Sequence, residues 1–261
     1  MLKVKEIEPK FGKLEDKKYI CVIDLELTCW DDKEHTHQDM EIIEIGIAYC
    51  NLQYKILDEI EIFVKPWHNP ILSDYCKELT HIKQEDVDNS KNLCVSVSQL
   101  MEKLPDPKEF IFASWGNDPI WLQKELEKKC YKNCNNGKWH GYTEFDPRFI
   151  NIKLCDKIKN NKKRGLKKTL RSYGIEQIQP AHRALPDALS TALLAKEMKL
   201  DVFDCMISND KTFRQKETKR MNDIVDKFVK KTGFEKEKTT KLMKYVDYDF
   251  MKAQNIFQLF K

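Results

Sequence analysis

The sequence predicts an α/β domain built on a mixed sheet, followed by a small all-helical appendage. Three observations carry that reading. Apolar, β-branched runs stand at 19–27, 41–50 and 54–64, with only a short turn between the last two, and read as a three-strand antiparallel meander. From 73 to 200 strand-like and helix-like stretches alternate. After Leu200 no strand-like run occurs. The 261 residues suffice for one large domain or two unequal ones. With 41% hydrophobic and 34% charged residues, 8 Gly and 9 Pro, collagen-like, low-complexity and disordered chains are excluded. The apolar runs fall far below the roughly 18 residues a membrane span needs, so no membrane role is expected. Residues 1–18 are densely charged without an apolar stretch, and nine cysteines follow no paired framework. A cytoplasmic location is the expectation.

The run YICVIDLEL at 19–27 reads as a central strand buried on both faces. In the third run Ile60, Ile62 and Val64 alternate with Glu59, Glu61 and Phe63, the period of a half-buried strand. Helices are expected near 73–78 and 96–103, and a fourth strand at 110–113. Asp118-Pro119 reads as a helix start, with Asp118 at the N-cap and the stripe Leu122, Leu126, Cys130 below it. A fifth strand is expected around 148–153, with helices at 166–173 and 186–200. The division falls at 1–206 and 207–261, and the second part is expected to form helices near 213–231, 235–245 and 248–260. There Ala253, Ile256, Phe257 and Phe260 make one helical stripe.

Charge is unevenly placed. The formal net charge is only +4, yet Lys153 to Arg171 holds nine bases against the single acid Asp156. A basic segment beside an acidic remainder suits a protein that grips a polyanion, and Lys162, Lys163 and Arg164 are its densest point. A solvated helix face is the competing reading.

The chemistry-bearing residues stand at element ends. Asp24 and Glu26 lie two apart on an apolar strand, so the strand period puts both carboxylates on one face. Two buried anions side by side need a counter-charge, and a divalent cation supplies it. His182 precedes Asp187 by five residues, Asp187 falling in the first turn of a helix, and Asp118 opens another. Each has a structural explanation alone, whereas the order Asp-x-Glu, Asp, His-x4-Asp at successive element ends points to one site.

In that order the sequence resembles the DEDDh 3′→5′ exonucleases of the ribonuclease H-like superfamily over about 18–200. IDLELT carries Asp24 and Glu26, SWGNDPIWL carries Asp118, and HRALPDA carries His182 and Asp187. EIIEIG at 41–46, the stretch 64–88, and FINIK with GLKKTLRSYGI between 149 and 175 resemble the Eri-type exoribonuclease subgroup. The resemblance implies a five-stranded ribonuclease H-like sheet flanked by helices. It implies a two-metal hydrolase in which Asp24, Glu26, Asp118 and Asp187 hold two Mg²⁺ or Mn²⁺ ions and His182 is the general base. The expected substrate is single-stranded RNA, or DNA, with a free 3′ end, cleaved to nucleoside 5′-monophosphates. A proofreading-type DNA exonuclease and a non-catalytic nucleic-acid-binding module are the alternatives. Leu27 and Thr28 would meet the terminal nucleotide, Trp115 would stack on a base unless it is a core residue, and the basic segment would follow the backbone. Cys130, Cys134 and His140 offer three zinc ligands without a fourth. The stretch 224–257, with Thr232-Gly233-Phe234, weakly resembles a UBA-like bundle and suggests a protein partner. Extra packed helices and a nucleic-acid arm are the other readings.

Overall fold

The computed structural model describes residues 12–36, 39–133, 146, 148–161, 164–202, 205, 222–223, 225–233 and 235–245. Its chain separates into two compact units, Met1–Ile207 and Ser208–Lys261. The first is an α/β unit on a six-stranded sheet of order β4-β3-β2-β1-β5-β6. β1 (Tyr19–Leu27), β2 (Ile42–Asn51) and β3 (Ile56–Lys65) form the expected antiparallel meander. β5 (Phe110–Ser114) runs parallel to β1, and β6 (Phe149–Asn151) parallel to β5. The sixth strand, β4 (Lys91–Asn92), pairs with the end of β3 and is only two residues long, which is why no periodicity announces it.

Alternation along β1 explains both layers. Ile20 and Val22 join one buried cluster with Ala48, Ile111, Ile150 and the helix residues Ala188, Ala192 and Ala195. Cys21, Ile23 and Leu25 join the other with Ile45, Phe112, Val97, Leu100 and Leu122. Each fully buried Leu or Ile contributes about 1.5–3 kcal/mol of transfer free energy. Asp24 and Glu26 continue the Ile20–Val22 face, so the strand period aims both acids at the layer that holds α7 (Ala184–Glu197).

The remaining helices are α1 (Asp74–Thr80), α2 (Gln84–Asp88), α3 (Leu93–Lys103), α4 (Asp118–Asn133), α5 (Ile152–Asn160) and α6 (Leu166–Ser172). Ser73 and Asn92 cap α1 and α3 by accepting from the amides of Cys76 and Val95. Two expectations are corrected. The strand expected across 148–153 ends at Asn151, whose side chain accepts from the Leu154 amide at 2.8 Å and caps a helix. α4 is capped one residue earlier than expected: the Asn117 carbonyl accepts from Trp121 at 3.1 Å, so Asp118 is the first helical residue rather than the cap.

Six described cysteines are free thiols and Cys94 is disulfide-bonded. No helix among the described residues is long and apolar enough to cross a membrane. Within the second unit, residues 225–232 are helical, α8 spans Lys236–Tyr245, and Phe228 is fully buried. The stripe at 253–260 lies outside the described residues, as do Cys134, His140 and the side chain of Cys130.

Candidate active site

Because β1 and β5 are parallel, their carboxyl ends open at the same edge of the sheet, and the acids gather there. Asp24 and Glu26 come from β1, Asp118 from the turn after β5, and Asp187 from the first turn of α7. One carboxylate oxygen each from Asp24, Glu26 and Asp187 lie within 4.8 Å of one another. Asp118 stands outside that trio but beside it. The Ser114 hydroxyl and the amides of Gly116 and Leu25 face its carboxylate, and its charge acts on Asp24.

α7 reaches the trio because of Gly46. In the sheet register Asp24 opposes Gly46 and Glu26 opposes Glu44. A Cβ on Gly46 would lie 2.1 Å from the Leu185 amide nitrogen and 2.2 Å from the Ala184 carbonyl carbon. Only glycine lets the start of the helix rest on the strand. The chain then enters α7 through His182, whose φ of 60° is left-handed. That turn aims the His182 amide at Asp187 Oδ2, 3.2 Å away, while Gln177 Nε2 donates to Oδ1 at 2.6 Å. Two donors therefore fix the rotamer of Asp187. The His182 side chain is exposed, and its charge acts on Asp187.

Desolvation is the main force on all four groups, and repulsion from neighbouring acids comes next for Asp24 and Glu26. Burial, then the charges of Asp118, Glu26 and Asp187, push Asp24 well above the ordinary carboxylate range. Burial and Glu44 push Glu26 up to about 8. Burial also raises Asp118 and Asp187, against the donors that face them. The cluster cannot hold all its charges unaided. All four donors are hard carboxylate oxygens with neither thiolate nor imidazole in the trio, a set that fits Mg²⁺ or Mn²⁺ better than zinc.

The structure reassigns several expected substrate contacts. Trp115 is 9% exposed and packed in the α7-side core, so burial removes its ring as a stacking surface. Thr28 is 2% exposed, and its hydroxyl accepts from the Glu41 amide at 2.9 Å. It fixes the end of β1 rather than facing a ligand. Arg164 is turned onto buried Asp156 at 3.2 Å, which makes it a fold residue. Lys162 and Lys163 lie outside the described residues. Leu27 is half-buried at the strand end, its carbonyl facing the Cys76 thiol at 3.7 Å.

Sequence reading missed the groups that act through long-range contacts. Glu41 accepts from the amides of Trp67, His68 and Asn69 at 2.7–2.8 Å and pairs with Lys129. Those bonds outweigh burial and hold its carboxyl below the usual range. Glu44, Arg183 and Gln177 were missed likewise. EIIEIG and HRALPDA supplied a signal, since a glutamate in an apolar strand and an arginine beside the motif histidine need partners.

Comparison with known proteins agrees with this geometry. Residues 21–195 match the RNase_T exonuclease family model. The chain is 31% identical to human ERI1 exoribonuclease 2 over 86% of this chain and 35% of that protein. It is 29% identical to the mouse counterpart over 79% and 32%. It thus spans about a third of the length of these relatives. The nuclease domain of 3′hExo, a DEDDh family member bound to rAMP, superposes with a TM-score of 0.59 at 25% identity, covering 73% of this chain and 94% of that one. With its acids at the ends of parallel strands, its histidine turn before α7 and the family match across 175 residues, the chain belongs to the RNase_T exonuclease family.

Proposed function

We propose that this chain is a metal-dependent 3′→5′ exonuclease that trims single-stranded 3′ ends of RNA, releasing nucleoside 5′-monophosphates. The observation that carries the reading is the Asp24–Glu26–Asp187 trio within 4.8 Å, with Asp118 adjoining and an exposed His182 bonded to Asp187 through its amide. The preference for RNA follows the relatives, described as exoribonucleases, and the rAMP held by the 3′hExo nuclease domain.

Asp24, Glu26 and Asp187 would hold the cations, with Asp118 supporting from the β5 side. Bound there, divalent cations would supply Lewis acidity for phosphodiester hydrolysis. His182 would accept the proton of the attacking water on a ring nitrogen, as a positioned general base. The amide of the same residue holds Asp187, so the base and one ligand move as a unit. Leu27 ends the strand that carries the acids and meets the terminal base. With Trp115 in the core, Trp67 and Tyr75 carry the large exposed rings for stacking among the described residues. Both sit on segments tied to the end of β1, Trp67 through Glu41 and Tyr75 through the Ser73 hydroxyl bonded to the Cys29 carbonyl.

The test is incubation of 5′-labelled RNA and the same DNA sequence with Mg²⁺ or Mn²⁺. A ladder shortening from the 3′ end, faster on RNA and abolished by EDTA, is the expected result. Internal cleavage, or none with either substrate, overturns it.

A further inference from the structure

Arg183 follows His182 in the chain but is anchored on the sheet. Its Nε lies 3.1 Å from both carboxylate oxygens of Glu44, and its guanidinium reaches Glu61 at 3.1 Å. It lies over the Phe63 ring, 5.2 Å from the centroid. Glu44 is completely buried and accepts a further bond from the Ala184 amide at 3.0 Å. Two consecutive residues after His182 are thus pinned to one carboxylate of β2, and that carboxylate is the register partner of Glu26.

A staple that merely docks α7 is the plainer explanation, and two observations weigh against it. α7 is already seated through Gly46 and through the buried Ala188, Leu189, Ala192, Leu194 and Ala195. A buried ion pair is also a poor source of stability, because desolvating two charges consumes most of their attraction. What the pair does control is local. It fixes the direction in which the chain leaves His182, and it sets a cation against a fifth carboxylate, Glu44, whose charge acts on Glu26 and Asp24.

We propose that Arg183 is a positioning residue of the hydrolytic site: held by Glu44, it sets the His182 turn against the Asp24–Glu26 strand and offsets the charge that Glu44 lays on the metal-binding acids. The inference rests on the nuclease reading above and deepens it. Each half has its own signature. Freed of Arg183, the charge of Glu44 beside the cation site is no longer offset, which tightens cation binding. The loosened turn misplaces the general base, which lowers turnover while substrate affinity stays as it was.

The full-length chain is compared with Arg183→Met, Arg183→Lys, Glu44→Gln and the double variant Arg183→Met/Glu44→Gln. Mn²⁺ binding is titrated calorimetrically without nucleic acid, and kcat and KM are measured on single-stranded RNA. Arg183→Met is expected to bind Mn²⁺ about tenfold more tightly and to lose about tenfold or more in kcat at nearly constant KM. Adding Glu44→Gln should reverse the tightening without restoring kcat. Arg183→Lys keeps the charge but not the two-pronged geometry, so its Mn²⁺ affinity should match the parent while kcat falls. A folded Arg183→Met with parental Mn²⁺ affinity, or weaker affinity uncorrected by Glu44→Gln, overturns the proposal. So does parental kcat in Arg183→Lys, the deciding variant if Arg183→Met fails to fold. If the parent chain cleaves no RNA, the nuclease reading fails on that result, and the Mn²⁺ pattern still decides whether Arg183 restrains Glu44.

Discussion

The acidic end of the sheet and the basic segment after β6 both announce themselves by charge, yet the structure treats them in opposite ways. At the sheet end, acids from three separate parts of the chain converge, and desolvation disfavours their ionised forms. In the basic segment the cations disperse. Arg164 pairs with buried Asp156, Lys159 donates to the Met198 carbonyl at 2.7 Å, and Lys153, Lys157, Lys167, Lys168 and Arg171 are exposed. Like charges gathered against desolvation require a ligand, whereas like charges spread through water require nothing.

The sharpest way to break that contrast is Asp24→Asn. Asp24 feels every other acid of the cluster, so its loss should remove about 10³-fold or more of the cleavage rate, a barrier increase of roughly 4 kcal/mol. The folded protein should meanwhile be no less stable without metal, because a repelled carboxylate has been neutralised. A single-turnover assay alongside thermal melting in EDTA checks both, and a destabilised Asp24→Asn would mean that the acids are a structural network. Next in size is His182→Ala, expected to cut turnover by roughly 10²–10⁴ with Mn²⁺ binding unchanged by calorimetry. Weakened Mn²⁺ binding would instead make His182 a ligand.

The same contrast explains which features the sequence made legible. Strand period two placed Asp24 and Glu26 on one face, and the observed alternation of Ile20 and Val22 against Cys21, Ile23 and Leu25 is its direct consequence. The histidine and aspartate flanking the start of α7 were legible because caps and first turns have short-range signatures. Trp115 was not, since whether an aromatic at a strand end points into the core depends on what packs over it. Arg164 carries the same charge as its neighbours, and only the fold brings Asp156 beneath it. Glu44 and Glu41 act through partners as far as 140 residues away in the chain, beyond the reach of any local period, and Gln177 meets Asp187, ten residues on, only through the turn at His182.

Dependence on pH sharpens the comparison further. The cluster acids have folded pKa values above their unfolded ones, Glu26 at about 8. Between about pH 4 and that range the metal-free folded protein therefore binds more protons than the unfolded chain, and stability falls as pH rises. Tm in EDTA should drop by several degrees from pH 5 to pH 8, and Mn²⁺ should restore more of it at pH 8 than at pH 5. A flat profile with equal metal shifts at both pH values would show that repulsion among the acids is not what the cation relieves.

The smallest effects belong to the basic segment, where two kinds of lysine and arginine separate. Arg164→Ala strips the partner from Asp156, which is 1% exposed, and should cost about 3 kcal/mol of stability by leaving a buried charge uncompensated. Lys167→Ala and Lys168→Ala touch exposed side chains on α6 and should leave Tm within a degree or so. If those two lysines meet the phosphate backbone, each replacement lowers the slope of log affinity against log salt by about 0.7 for single-stranded RNA. The rate of cleavage at saturating substrate stays constant, because neither residue reaches the acids. An unchanged slope would leave α6 as a solvated face, and the basic run would then owe its charge to solubility and to the single buried pair at Asp156.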